Sequence, residues 1–183
     1  MSGTQVGPWR RRSRRTAYEN EWIEVWHDEV TRPDGADGVY GVVHPRFRAV
    51  GIVAVDDEDR VVLVGQHRYT LDRYSWEIAE GGVPLGDEPL EGGKRELAEE
   101  TGYRADRWRE LLRHSLTNSI SDEEGVIYLA TGLRPGTPAP EATEDITVRL
   151  VPFDDALAMV ESGEIHDAVS QLGLLAAART PRV

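Results

Sequence analysis

Short runs of apolar, β-forming residues recur along the chain between turn residues, and each run predicts a strand. The strands predicted in this way cover residues 21–30, 39–44, 48–55, 60–66, 108–116, 126–130 and 147–152. Turn residues at 33–35 separate the first two runs, so these two form a hairpin. The next two runs are rich in valine and isoleucine and flank an acidic turn at 56–59, which predicts a hairpin inside the core. Three prolines at 132–144 predict a loop.

Helical spacing marks three segments. Residues 154–161 and 165–178 predict two helices near the carboxyl end. The apolar residues expected on the packing face of the second of these helices are Ala168, Val169, Leu172, Leu175 and Ala176. The third segment follows a glycine-rich loop that begins at Glu80, and this helix has Asp87 as its expected N-cap and Gly102 as its expected end.

Three glutamates of this third helix, Glu96, Glu99 and Glu100, fall at positions i, i+3 and i+4, so their carboxylates share one surface. Like charges at this spacing repel each other by roughly 0.2–0.5 kcal/mol per pair. Gly92 and Gly93 also cost the helix up to about 1 kcal/mol each relative to alanine. A segment that combines like-charge repulsion with glycines inside a helix is a candidate functional site. Hard cations such as Mg²⁺ bind carboxylate oxygens in such clusters. The alternative is a solvated acidic helix face with neighbouring lysine and arginine side chains as partners.

Composition narrows the classes of function. The chain has 183 residues, enough for one domain with a sizeable core. Its net charge of −12 argues against nonspecific binding to nucleic acid or to anionic membranes, which needs basic surface. Cysteine is absent, which excludes a disulfide and a thiol nucleophile. No apolar run approaches the ~20 residues of a membrane span and no hydrophobic signal core is present, so we expect a soluble cytoplasmic protein.

The segment from Gly81 to Tyr103 resembles the Nudix box. That motif runs Gly, five residues, Glu, seven residues, Arg-Glu, an aliphatic residue, any residue, Glu-Glu, any residue, Gly and a hydrophobic residue. Gly81 opens the motif, residues 95–102 match its second half without a break, and Tyr103 fills its last place. Asp87 stands where the family has its first glutamate. This departure affects only the supporting role of that carboxylate and leaves the metal-binding glutamates unchanged.

The chain also resembles the ADP-ribose pyrophosphatase branch of this family in two segments before the box. Residues 66–68 are similar to its Gln-aromatic-Arg segment, with His67 in place of the aromatic residue, and residues 76–78 are similar to its Trp/Leu-Glu-hydrophobic segment. The resemblance implies that Arg68 binds a substrate phosphate, because a guanidinium matches phosphate geometry. An ion pair between Arg68 and Glu77 is the alternative.

The resemblance further implies a metal site and the residues around it. The expected metal ligands are the backbone carbonyl of Glu80 and the carboxylates of Glu96, Glu99 and Glu100. The expected catalytic residues are Glu99, Glu100, Glu123 and Arg95. Glu123, with Glu124 as second choice, would deliver a loop carboxylate, unless residues 117–125 are only a polar surface loop, and Arg95 would brace the glutamates. The expected substrate-binding residues are Arg68, Glu77 and Trp22. Mg²⁺, with Mn²⁺ possible in its place, would bridge a diphosphate and lower the pKa of a bound water.

The fold implied by the resemblance is an α/β/α sandwich around a mixed sheet, with an added N-terminal antiparallel sheet. We accordingly divide the chain into an arginine-rich segment at 1–15, an N-terminal hairpin at 16–45 and a Nudix hydrolase domain at 46–183. Residues 1–15 form either a flexible tail or an edge strand. The added sheet implies a homodimer, and Tyr18, Trp22 and Trp26 are either base-stacking or dimer residues or serve ordinary packing.

The function implied is Mg²⁺-dependent hydrolysis of a nucleoside diphosphate sugar, with the conversion of ADP-ribose to AMP and ribose 5-phosphate as first choice. The alternatives are a non-hydrolysing nucleotide-sugar sensor on the same fold and a pyrophosphatase for another sugar nucleotide such as GDP-mannose. The intact run of glutamates argues against a sensor, which need not keep every carboxylate. Isopentenyl-diphosphate isomerase shares the fold but needs a cysteine that this chain lacks.

Overall fold

The computed structural model describes residues 3–139 and 145–182, so the end of the predicted loop at 132–144 lies outside the described residues. The chain divides into two compact units. The first unit comprises Met1–Phe47 and Ser115–Glu123, and the second unit comprises Arg48–His114 and Glu124–Val183. None of the helices in the described ranges has the length and the apolar character that a membrane span requires.

The first unit contains a four-stranded antiparallel sheet with its strands in chain order. Its strands are β1 (Thr4–Val6), β2 (Trp9–Glu19), β3 (Ile23–Thr31) and β4 (Asp37–Pro45). The hairpin predicted from residues 21–30 and 39–44 is therefore present as β3 and β4. The arginines at 10–15 belong to β2, which pairs with β3 along its length and with β1 at residues 9–11. The described part of the segment at 1–15 is thus mostly strand, with β1 at the edge of the sheet, and the division of the chain at residue 15 stays a prediction.

An ion pair and a stack of rings stabilise one face of this sheet. Asp28 is only 5% exposed and accepts hydrogen bonds from Nε and Nη2 of Arg14, each at 2.7 Å. The same guanidinium lies 3.7 Å from the ring centroid of Trp26, which stacks on His44 with the centroids 4.3 Å apart. His44 in turn contacts Asp122 at 2.8 Å. Trp26 therefore packs inside the first unit, as ordinary sheet aromatics do.

The second unit contains a seven-stranded mixed sheet in the order β11-β6-β5-β10-β9, with β7 paired to β6 and β8 paired to β5. Its strands are β5 (Phe47–Val55), β6 (Arg60–Arg68), β7 (Arg73–Glu77), β8 (Ala79–Pro84), β9 (Arg104–His114), β10 (Gly125–Arg134) and β11 (Thr147–Pro152). β5 and β10 are parallel, while β9 and β11 pair antiparallel with their neighbours. The glycine-rich segment after Glu80, expected to be a loop, begins inside β8, so its backbone groups pair with a strand.

Three helices cover the two faces of this sheet: α1 (Pro89–Thr101), α2 (Phe153–Ser162) and α3 (Ala168–Ala177). Because successive strand residues point to opposite faces, Ile52 and Val53 on β5 face different helices. A methyl group placed on Gly93 of α1 would contact Ile52, and one placed on Gly173 of α3 would lie 2.9 Å from Val53. The expected α/β/α sandwich with a mixed sheet and an added antiparallel sheet is confirmed.

The predicted packing face of α3 is wrong except for Val169, which is buried. Its buried residues are Val169, Ser170, Gly173, Leu174 and Ala177, whereas Leu172 and Leu175 are exposed. The helix also begins later than predicted, because Asp167 caps it by accepting a hydrogen bond from the Ser170 N–H at 2.7 Å. A glycine and a serine thus occupy the packing face, where the small residues allow close approach to the sheet.

Candidate active site

Helix α1 begins one residue later than expected. Glu88, and not Asp87, occupies the N-cap position, and its side chain makes no capping bond, while Pro89 fills the first helical position. The helix ends as expected at Gly102, whose φ of 74° is left-handed and whose N–H bonds to the Ala98 carbonyl. Glycine adopts this conformation without steric cost, so the helix stops directly after the glutamates.

The two helical glycines have a packing explanation. A methyl group on Gly92 would overlap the Val83 side chain of β8, and one on Gly93 would lie 3.0 Å from Val50 of β5. Both glycines are buried. They let α1 lie close against β8 and β5, and this close approach sets the distance between the helix and the strand that precedes it.

Two of the three glutamates lie against neighbouring residues of β8. A methyl group on Gly81 would overlap the carboxyl carbon of Glu96, so this glycine provides the space that Glu96 occupies. Glu100 is only 3% exposed, and its Oε2 accepts a hydrogen bond from the Glu80 N–H at 3.1 Å. Glu99 is more exposed. The structure thus brings Glu96 and Glu100 to Gly81 and Glu80, and their role as metal ligands stays a prediction.

Arg95 pairs with two of these glutamates. Its Nη2 lies 2.8 Å from Glu96 Oε1 and its Nε lies 3.6 Å from Glu99 Oε2. Over residues 3–139 and 145–182, no three acidic or histidine side chains converge closely enough to hold a metal ion. Carboxylates without a cation repel each other, and Arg95 supplies the counter-charge instead. The donor set of carboxylate oxygens beside a glycine cradle still fits a hard divalent cation, which would take the place of the guanidinium.

The side chain of Glu80 points away from these carboxylates, towards α3. Ser170 Oγ donates a hydrogen bond to Glu80 Oε1 at 2.9 Å, and the same hydroxyl accepts one from the Ile78 N–H at 3.0 Å. Burial raises the pKa of Glu80 well above its ordinary value, and the neighbouring Asp167 raises it further. Only the backbone of Glu80 therefore accompanies Glu100, and the metal-ligand role of its carbonyl stays a prediction. No motif in the sequence pointed to Ser170 or Asp167.

Arg68 and Glu77 form the ion pair that was the alternative to phosphate binding. Nε of Arg68 lies 3.0 Å from each carboxylate oxygen of Glu77, and its Nη2 also contacts the same group. Glu77 is 2% exposed, and its hydrogen bond raises the pKa of Arg68. The pair also lines a cleft of about 350 Å³ between the β6–β7 hairpin and the start of α3. The ion pair therefore leaves Arg68 at the wall of a cavity, where substrate binding stays a prediction.

The remaining expected site residues belong to other segments of the chain than β8 and α1. Glu123 belongs to the first unit, where its N–H bonds to Ser121 Oγ at 3.0 Å and burial raises the pKa of its carboxyl group. Trp22, also in the first unit, is exposed and lies 5.7 Å from Phe47 between ring centroids. Glu124 belongs to the second unit, 3.9 Å from the guanidinium of Arg48. The catalytic and binding roles of these residues stay predictions.

Comparison with known proteins agrees with this architecture. The profile of the NUDIX domain matches residues 45–170, and the profile of the nucleoside diphosphate sugar hydrolase N-terminal domain matches residues 9–43. An ADP-ribose pyrophosphatase of Mycobacterium tuberculosis is 35% identical over 167 residues, which cover 90% of this chain and 80% of the relative. A CMP-5'-(N-acetyl-N-hydroxy-3-aminopropyl)phosphonate hydrolase of Streptomyces rubellomurinus is 32% identical over 171 residues, covering 92% of this chain and 81% of the relative.

A solved structure described as an ADP compounds hydrolase has the same fold. It superposes with a TM-score of 0.86 at 20% identity, covering 99% of this chain and 100% of the other. At this identity the similarity establishes the fold, and the sequence relatives carry the information about chemistry.

Proposed function

Because this chain belongs to the NUDIX domain family and is one of its pyrophosphohydrolases, we propose that it hydrolyses the diphosphate bond of nucleoside diphosphate sugars, with ADP-ribose preferred. The observation that carries this proposal is the seating of Glu96 and Glu100 against Glu80 and Gly81 of β8. The matched profile of a nucleoside diphosphate sugar hydrolase N-terminal domain and the ADP-ribose pyrophosphatase relative support the choice of substrate.

Family members work with divalent metal ions, and we propose Mg²⁺, with Mn²⁺ as the alternative. Glu96, Glu99, Glu100 and the carbonyl of Glu80 would hold these ions. When bound, the ions would offset the charge of the diphosphate and lower the pKa of a bound water. This charge compensation explains how a protein of net charge −12 could bind a dianionic substrate.

The chain's own residues take the remaining roles in this proposal. Arg68 contacts a phosphate oxygen while Glu77 fixes its guanidinium. Glu123 accepts the proton of the attacking water, a role for which its raised pKa suits it. The water oxygen bonds to one phosphorus of ADP-ribose and the bond from that phosphorus to the bridging oxygen breaks. The bridging oxygen leaves on the other phosphate, so the products are AMP and ribose 5-phosphate. Arg95 holds Glu96 and Glu99 in place before a cation arrives.

A panel of substrates tests the proposal. The purified chain is incubated with ADP-ribose, ADP-glucose or GDP-mannose in Mg²⁺ or Mn²⁺, and the products are separated and identified. We expect AMP and ribose 5-phosphate from ADP-ribose, and no product in EDTA. Faster release of GMP from GDP-mannose would transfer the preference to that substrate. Tight binding of ADP-ribose without turnover would favour the sensor, and no release from any compound rejects the proposal.

We also propose a cytoplasmic homodimer that associates through the sheet of the first unit, with residues 46–183 as the catalytic domain. Exposed apolar side chains of the first unit support an interface, among them Tyr18 and Val39 on the sheet and Trp22 in the turn between β2 and β3. Light scattering coupled to size exclusion measures the mass. A dimer for the unchanged chain and a monomer for Val39→Asp are expected, and a monomer of the unchanged chain would contradict the proposal.

A further inference from the structure

The hairpin of β6 and β7 places two arginines opposite each other. Arg68 and Arg73 are direct partners in the antiparallel register, at the end of the hairpin where residues 69–72 make the turn. Cross-strand partners of this kind have Cβ atoms about 4.5–5.5 Å apart, and like charges in such a pair destabilise the hairpin. Stability alone therefore does not explain an arginine at each of these two positions.

Both arginines line the cleft in front of α3, together with Glu77, His166, Asp167 and Ala168. The carboxylates of this cleft are already engaged. Glu77 accepts the hydrogen bonds of Arg68, and Asp167 caps α3 at the Ser170 N–H. Among residues 3–139 and 145–182, by contrast, the guanidinium of Arg73 has neither an ion pair nor a hydrogen bond. Of the two arginines and two carboxylates that line the cleft, Arg73 is therefore the one whose charged group has no partner among the described residues.

Two further features favour an anion in this cleft. Ala168 is the first residue of α3, whose first turn carries the positive end of the helix dipole and already binds the carboxylate of Asp167. Glu80 also links the glutamates of α1 to α3, because its N–H bonds to Glu100 while its side chain bonds to Ser170 in the first turn of α3. The first residue of that helix, Ala168, lines the cleft.

We propose that Arg73 is a second phosphate-binding residue, which acts together with Arg68. The two arginines contact one phosphate of the diphosphate, and the cations held by the glutamates of α1 would contact the other. The ligand class is a substituted diphosphate. The inference rests on the proposed function, which identifies this diphosphate as ADP-ribose. Arg73 contributes to ground-state binding, since it lines the cleft beside Arg68 and its guanidinium stays protonated throughout the reaction. It thereby favours diphosphate substrates over monophosphates.

Kinetics of three variants test this inference. Arg73→Gln removes the charge, Arg73→Lys keeps it, and Arg109→Gln is the matched control, because Arg109 is also an exposed strand arginine without an ion pair in the described ranges. We expect Arg73→Gln to raise KM for ADP-ribose about ten- to a hundredfold, the effect of one lost charge-assisted hydrogen bond, with kcat within about threefold. Arg73→Lys should recover part of this loss. The melting temperature of Arg73→Gln should be unchanged or higher, because the Arg68–Arg73 repulsion is removed.

Binding of inorganic pyrophosphate separates this inference from the proposed function. Calorimetric titration in Mg²⁺ measures the affinity of each variant without any turnover. We expect the unchanged chain and Arg109→Gln to bind alike, and Arg73→Gln to bind at least about tenfold more weakly. This result supports the inference even if no sugar nucleotide is hydrolysed. Equal affinity of Arg73→Gln and Arg109→Gln, or no pyrophosphate binding by the unchanged chain, would overturn it.

Discussion

Replacing Glu100 by glutamine tests the metal site, because it exchanges one carboxylate oxygen for an amide nitrogen and removes the negative charge. The side chain is 3% exposed, and its Oε2 accepts the Glu80 N–H at 3.1 Å, a bond that the amide oxygen of glutamine can also accept. A hydrogen bond to a charged acceptor exceeds a neutral one by roughly 1 kcal/mol. Removing the charge also relieves repulsion of about 0.2–0.5 kcal/mol with Glu96. We therefore expect the free energy of unfolding to change by no more than about 1 kcal/mol.

The rate should change far more than the stability. A divalent cation contributes several kcal/mol of charge stabilisation in the transition state, and about 1.36 kcal/mol corresponds to a tenfold change in rate. The loss of one ligand should thus lower kcat for ADP-ribose by about two to four orders of magnitude. Initial rates over a series of Mg²⁺ concentrations measure this loss, and urea denaturation of the same samples measures stability.

Glu91→Gln is the matched control on the same helix. Glu91 is exposed and pairs with Lys94 at 2.7 Å, so its replacement should leave kcat unchanged and cost about 0.5 kcal/mol or less. A Glu100→Gln variant with the same kcat as Glu91→Gln would refute the assignment of Glu100 to the metal. A loss of rate that merely follows a large loss of stability would refute it as well, because the site would then have collapsed.

Three further predictions concern packing and titration. Gly92→Ala forces a methyl group into Val83, so we expect the free energy of unfolding in urea to fall by about 1–3 kcal/mol. Burial raises the pKa of Glu123, and a base acts only when deprotonated, so kcat should rise with pH through that raised pKa, and Glu123→Gln should lose this dependence together with about 10²–10⁴ in rate. The hydrogen bond from Arg182 lowers the pKa of Asp59. This ion pair therefore stabilises the fold at pH values above the ordinary pKa of aspartate, and the contribution is lost as the pH falls through the lowered pKa. Asp59→Asn should therefore show a smaller fall in melting temperature between about pH 7 and about pH 3.

Each of these three predictions has an outcome that would contradict it. Gly41→Ala is the control for packing, because a methyl group there meets nothing within 4 Å, and an equal loss of stability in Gly41→Ala and Gly92→Ala would contradict the tight fit. If Glu124→Gln and not Glu123→Gln removes the pH dependence of kcat, the base is Glu124. An acid slope for Asp59→Asn identical to that of the unchanged chain would show that the ion pair carries no measurable stability.

The strands were predictable because their signal is local. The run at 147–152 coincides with β11, and the runs at 48–55 and 60–66 lie within β5 and β6, where nearly continuous apolar sequence matches burial on both faces. The spacing of the glutamates on α1 is equally local, since three helical positions fix their common surface. Gly102 was readable for the same reason, because a left-handed helix end requires glycine at that position alone.

The errors arise where packing overrides a local pattern. On α3 the leucines at 172 and 175 suggested the buried face, yet close approach to Val53 requires Gly173, and Ser170 is buried because it binds the Ile78 N–H. The side-chain contact of Ser170 with Glu80 spans 90 positions of the chain, a separation that no sequence period reveals. The expected glycine loop became β8 for a related reason, because pairing with β5 depends on the whole sheet.

The binding of divalent cations by the glutamates of α1 is the claim on which the proposed chemistry depends. Electron paramagnetic resonance counts free and bound Mn²⁺ directly during titration of the unchanged chain, of Glu91→Gln and of the triple variant Glu96→Gln, Glu99→Gln, Glu100→Gln, each in the presence of AMP. We expect Mn²⁺ to bind the unchanged chain and Glu91→Gln equally and to bind the triple variant at least about a hundredfold more weakly. Equal numbers of bound ions at equal affinity in all three proteins would contradict the metal site on α1.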